Sequence, residues 1–181
     1  MKSTSVQVLF STLAMLCATQ AFATQTCVMS IPGVPGESTA VPNGIDLFAF
    51  SWGLQNSSHP LATGGGAGRS RPQFNEFSVT KRLDKSSPLL MLGAAEGTHY
   101  ATVTISCRKA GGEREQEYLR YVLSDALVSS YHSSGSSDIP TDSISLNFSR
   151  VEFTYHPQNP DGTLGHPVVA CWDLRSERSC R

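Results

Sequence analysis

Residues Thr141 to Tyr155 alternate apolar and polar side chains for the length of a full strand, with Ile144, Leu146 and Phe148 on one face. After Arg150 the alternation changes phase, and Val151, Phe153 and Tyr155 carry it. Side chains in a strand repeat every second residue, so only a bulge or a passage between two sheets keeps both sets buried. A strand bent in this way predicts a closed or nearly closed antiparallel β-barrel of two packed sheets. Ile45 to Trp52, with Phe48, Phe50 and Trp52 on one face, reads as a further strand, and Phe77, Val79 and Leu83 alternate in another. Thr98 to Arg108 alternates strictly and is followed by Lys109-Ala110-Gly111-Gly112, whose paired glycines suit a turn. Val168, Ala170 and Trp172 are in phase, so Val168 to Leu174 reads as a closing strand before a charged tail.

Two segments depart from this pattern. Asp84 to Gly97 has the grammar of one short helix: Ser86 or Ser87 as cap, Pro88 at the first helical position and Gly97 at the end, with Leu89, Met91 and Leu92 covering part of the barrel. In the second, Tyr118, Leu119, Val122, Leu123, Ala126 and Leu127 fit a helical stripe. Leu119, Tyr121, Leu123, Leu127 and Tyr131 also fit one strand face interrupted by Asp125, and periodicity alone slightly prefers the helix.

At 181 residues and 39% hydrophobic, the chain fits one domain with a real core. Its formal charge of −1 and pI near 6.5 provide no field that would attract nucleic acid, which is excluded as a partner. Met1-Lys2, the mostly apolar run Val6 to Ala18 and Ala21-Phe22-Ala23 have the form of a signal peptide cleaved after Ala23. Residues 24–181 then form a single domain in the periplasm or outside the cell, with no membrane association once the signal is removed. The run is too short for a comfortable span of about 20 residues. Of five cysteines, Cys17 leaves with the leader. Cys27, Cys107, Cys171 and Cys180 remain, an even set that favours disulfides in an oxidising compartment, with three connectivities open. Cys107, on the face of Val103 and Ile105, also fits a buried thiol.

Chemistry-bearing patterns are sparse. No cysteine pair has zinc-knuckle spacing, and no metal or cofactor is expected. The Gly-rich stretch within His59 to Pro72 lacks the Gly-Lys-Ser/Thr ending of a phosphate cradle and reads as a loop. His59, His99, His132, His156 and His166 are scattered, and His156 and His166 flank Pro157 to Gly162, which reads as a hairpin tip. No serine sits in a G-x-S-x-G elbow. Asp125 is the notable charge, because burial would raise its pKa unless Arg120 or Arg150 compensates. Asp46 and Glu152 read as solvent-facing.

Several runs, in order, resemble one family. Ile31-Pro32-Gly33-Val34-Pro35-Gly36-Glu37-Ser38, Ser51-Trp52-Gly53 and Phe74 to Pro88 come first. Arg108-Lys109-Ala110-Gly111-Gly112, Glu117-Tyr118-Leu119, Pro140 to Tyr155 and Trp172-Asp173 follow. Together they resemble haemolysin-coregulated protein (Hcp), the tube protein of bacterial type VI secretion. The resemblance implies a compact β-barrel flanked by a short helix, forming homo-hexameric rings that stack head to tail into a hollow exported tube. It implies partners among other type VI components and small effector proteins, no catalytic activity, and a long strand over Glu115 to Ser133. The leader and Cys171, where the family commonly has glycine, suggest a relative adapted to an oxidising compartment. Two other readings stay open: a periplasmic binding or regulatory module that kept the barrel without assembly, and a secreted hydrolase centred near His132, Ser136 and Asp138.

Overall fold

Strands dominate the chain, and every strand pairing is antiparallel. The computed structural model describes residues 25–56, 71–111, 114–135 and 139–180. The segment 1–23, expected from the sequence to be a leader, with Cys17, most of the Gly-rich stretch, and Ser136, Ser137 and Asp138 lie outside the described residues. In chain order the elements are β1 (Thr26–Ser30), β2 (Ile45–Ser51), β3 (Leu54–Asn56), β4 (Pro72–Phe74), β5 (Phe77–Arg82) and α1 (Ser87–Glu96). They continue with β6 (His99–Gly111), β7 (Arg114–Ser134), β8 (Thr141–Asn147), β9 (Arg150–Tyr155), β10 (Val168–Asp173) and β11 (Arg178–Ser179).

One sheet runs β11-β10-β9-β7-β6-β1-β2-β5-β8, and β8 pairs again with β7, so six strands close into a barrel. The two packed layers expected from the sequence are thus one sheet wrapped onto itself. β7 makes the closure possible because it is 21 residues long: Leu127 to Ser134 pairs with β8, and Leu119 to Ser124 pairs with β9. β9, β10 and β11 therefore leave the barrel as a three-stranded arm. Val168 to Asp173 pairs with β9 and β11, not with the barrel, so the expected closing strand is an arm strand; β8 closes the ring. β3 and β4 form a separate two-stranded ribbon, so the loop expected over His59 to Pro72 ends in paired strand.

The phase change after Arg150 comes from a break between two strands of one sheet, not from a bulge or a passage between two sheets. Of the second set only Val151 is buried, while Tyr155 is exposed. β8 and β9 are two strands broken at Phe148-Ser149, with Ile144 and Leu146 buried before the break and Val151 after it. Opposite the break, Asp125 of β7 adopts φ 50°, a left-handed conformation that aspartate tolerates better than most residues. The amide of Ser149 donates to the carbonyl of Ser124 at 3.0 Å, pinning the two distortions together. Along β7 the inward residues are Leu123, Ala126 and Val128. A register shift past Val128 then brings the half-buried Tyr131 against the core. Steps of two and three residues imitate a helical period, which is why periodicity preferred a helix where the chain forms a strand.

The same effect corrects β2. A bulge between Leu47 and Ala49 resets the alternation, so Ile45 and Leu47 are buried, Phe50 and Trp52 pack on the core, and Phe48 is 56% exposed, with Arg82 5.5 Å from its ring centroid. Leu83 lies past the end of β5 and is exposed; the third inward residue of that strand is Lys81. The Lys109-Ala110-Gly111 run belongs to β6 and pairs with β7 instead of forming the turn.

Helix α1 ends as expected, with Gly97 in the left-handed conformation at φ 66°. Its start differs: neither serine caps it, because Ser86 Oγ donates to Asp84 and Ser87 Oγ is engaged with Lys81 and Asp142. The covering face differs too. Leu90 is fully buried while Leu89, Met91 and Leu92 are exposed. Before β2, Gly36 passes so close to Gly44 that an added Cβ would lie 2.2 Å from its carbonyl oxygen, which explains the second glycine of the Ile31 to Ser38 run.

Candidate functional site

Two adjacent strands each place a charged residue at an inward position. Phe77, Val79 and Lys81 share the inner face of β5, and Asp142, Ile144 and Leu146 share that of β8, with Lys81 directly opposite Asp142. Both charged side chains are fully buried. Lys81 Nζ lies 3.1 Å from Asp142 Oδ2 and 2.8 Å from Asp84 Oδ1, Ser87 Oγ and the Arg82 carbonyl oxygen. Ser87 Oγ donates to Asp142 Oδ2 at 2.5 Å, and Tyr131 donates its hydroxyl to Oδ1 at 2.9 Å. The ammonium and both carboxylate oxygens of Asp142 are thus satisfied by β5, β7, β8 and the start of α1, the condition under which a buried ion pair is tolerated. The inward register of a lysine and an aspartate on neighbouring strands was the available sequence signal, and sequence reasoning missed it.

Burial pushes the Asp142 carboxyl up, but hydrogen bonds from Ser87, Lys81 and Tyr131 outweigh it and hold the pKa below its ordinary 3.8. Asp84 shows the same balance, burial against bonds from Lys81 and Ser86, with the same net lowering. A depressed native pKa gives stability that is complete above the unfolded-state value and is lost as pH falls through the native one. We therefore expect denaturant midpoints to stay level above pH about 5 and to fall below about 4. Asp142→Asn should be less stable at neutral pH and show a shallower acid decline; an equally steep decline in the variant would remove this centre as its source.

Asp125 is partnered, though not by the arginines expected. His99 Nδ1 lies 2.8 Å from one carboxylate oxygen and Arg175 pairs with the other. Arg120 instead pairs with Glu117, and Arg150 with Glu152. The hydrogen bond with His99, working against partial desolvation and joined by the Arg175 charge, holds the Asp125 pKa down. Asp46 is exposed and Glu152 half-buried. His132 on β7 and His166 between β9 and β10 are exposed, and His156 sits at the β9–β10 loop with Nδ1 3.3 Å from the Gly165 carbonyl oxygen. Among the described residues no three histidine, cysteine or acidic side chains group as a metal site.

The cysteines pair within the β-structure. Cys27 faces Cys107 across β1 and β6 and is bonded to it, spanning 80 residues, and Cys171 is bonded to Cys180 across the β10–β11 hairpin, spanning nine. Cys107 is fully buried but disulfide-bonded, so the alternative of a free buried thiol does not hold.

The surface offers edges and apolar side chains. β11 covers β10 only at Trp172 and Asp173, leaving the outer backbone edge from Val168 to Ala170 without a strand partner among the described residues, with Val168 and Val169 65% and 55% exposed. Stacked rings fix the arm against the ribbon: Trp172 lies on Phe74, Phe74 on Trp52 and Trp52 on Phe77. No helix among the described residues is long and apolar enough to cross a membrane.

The sequence model of the family described as "Type VI secretion system effector, Hcp" matches residues 28–155, from β1 to the end of β9. The Pseudomonas aeruginosa protein Hcp1 is 43% identical over 103 residues, 55% of this chain and 64% of that protein. A solved type six secretion system protein superposes with a TM-score of 0.79 at 24% identity, covering 86% of this chain and 99% of the other. Hcp1 from Salmonella typhimurium superposes with a TM-score of 0.68 at 25% identity, covering 86% and 98%. With the closed six-stranded barrel and the family match running through all of its strands, the chain belongs to the Hcp family of type VI secretion system effectors.

Proposed function

We propose that the chain is a structural, non-catalytic subunit of a type VI secretion tube, exported and assembled as homo-hexameric rings stacked head to tail. The observation that carries this reading is the distribution of chemistry. The charged centre at Lys81 and Asp142 is sealed inside the barrel, out of reach of any substrate, while the arm presents an unpaired backbone edge and exposed valines. Free edges of this kind are completed by pairing with another chain, and a closed cyclic arrangement satisfies all copies at once. The Val34 to Pro42 segment and the β3–β4 ribbon supply further contacts between protomers or rings, and small effectors would travel in the lumen. Light scattering after size exclusion of the chain from residue 24 should give six protomer masses, with rings in negative stain. A strict monomer at high micromolar concentration would overturn the proposal.

The paired cysteines favour a second reading, a periplasmic module that kept the barrel and gave up assembly, reached through the signal peptide proposed for residues 1–23. On that reading the oxidised protein is monomeric and remains so after the disulfides are reduced.

A further inference from the structure

The two disulfides differ in what surrounds their sulfurs. Cys107 is fully buried, and its bond to Cys27 lies in the barrel wall between β1 and β6. Cys171 and Cys180 are only half-buried and join a hairpin whose last strand makes two register pairs, whereas β10 keeps six with β9. Among the described hydrogen bonds, Arg150 Nε donates to Cys171 Sγ at 3.1 Å, and the same guanidinium pairs with Glu152, which faces Cys171 across β9 and β10. A cation at that distance stabilises a thiolate on Cys171 and has no counterpart at Cys180 among the described contacts.

We propose that Cys171–Cys180 is a thiol–disulfide exchange site with a fixed direction of attack, operated by low-molecular-weight or protein thiols. An incoming thiolate attacks Cys180 Sγ, and the Cys171–Cys180 bond breaks. Its electron pair passes to Cys171 Sγ, which leaves as a thiolate beside Arg150, while the incoming sulfur becomes a mixed disulfide on Cys180. A second thiol of the reductant resolves that adduct, giving the Cys180 thiol and the oxidised reductant. Exchange is fastest when the departing sulfur is the more stable thiolate, which sets the direction. Opening the bond frees β11 and uncovers the outer edge of β10 at Trp172 and Asp173, while the β9–β10 ladder and the barrel remain. This inference is independent of whether the chain assembles.

The test is to expose the oxidised full chain to glutathione, quench with acid, alkylate, and locate adducts by peptide mass spectrometry. Glutathione is expected on Cys180 with Cys171 alkylated and Cys27–Cys107 intact. Arg150→Gln, which removes the cation beside the departing sulfur, should slow exchange roughly three- to tenfold. Arg150→Lys should restore most of the rate. Adducts on Cys171, or simultaneous opening of both disulfides, would overturn the proposal. So would an unchanged rate in Arg150→Gln; if that variant misfolds, the adduct position in the unaltered protein decides alone.

Discussion

Replacing Lys81 by methionine is expected to lower the unfolding free energy by about 3–5 kcal/mol, the range for removing one partner of a buried ion pair. Methionine fills nearly the same volume, so the loss comes from charge. Asp142 would remain buried beside Ile144 and Leu146, with Ser87 and Tyr131 as donors but no cation. The carboxyl would then be driven to bind a proton, and Ser87 would lose the ammonium that orders the start of α1. Lys81→Met/Asp142→Leu removes the fully buried pair, though it leaves Asp84 without its cation, and should recover part of the deficit, giving a favourable coupling in a double-mutant cycle. Urea unfolding of the four proteins at pH 7 measures it. A single variant within 1 kcal/mol of the unaltered protein would mean that the centre contributes little to the fold.

The second large effect belongs to Cys27–Cys107. Closing an 80-residue loop restricts the unfolded chain by about 4.5 kcal/mol in the chain-entropy treatment, against about 2.5 for the nine-residue span of Cys171–Cys180. The bond also ties β1, a strand paired on both sides within the barrel, to β6. Cys27→Ala/Cys107→Ala should therefore lose clearly more stability than Cys171→Ala/Cys180→Ala, with guanidinium unfolding under oxidising conditions as the measurement. The reverse order would show that loop length does not govern these bonds.

These two sites differ in how visible they were beforehand. The even set of cysteines announced disulfides, but the partner of each depended on which strands became neighbours. Cys27 reaches Cys107 because β1 inserts between β2 and β6, a pairing made by residues far apart in the chain. The Lys81 centre was hidden for another reason. Phe74 to Pro88 was conspicuous as a run, yet a lysine in an alternating strand ordinarily faces water, and only the partner on β8 makes the inward position tolerable. Asp125 drew notice as a charge in an apolar strand, but its partners come from His99 and from Arg175 in the tail, which no local rule connects.

Local alternation by itself determined the strand-rich character outside Tyr118 to Tyr131, the change of phase within Thr141 to Tyr155 and the short helix closed by Gly97, because period-two burial and backbone preference act over a few residues. The order of specific runs determined the family. Tertiary structure alone decided which faces were inward in β2 and β7, since a bulge or register shift reverses every side chain beyond it and leaves little local trace. It likewise decided that β8 closes the barrel while β10 rides outside it, because strand pairing over long loops is settled by the burial of the whole sheet.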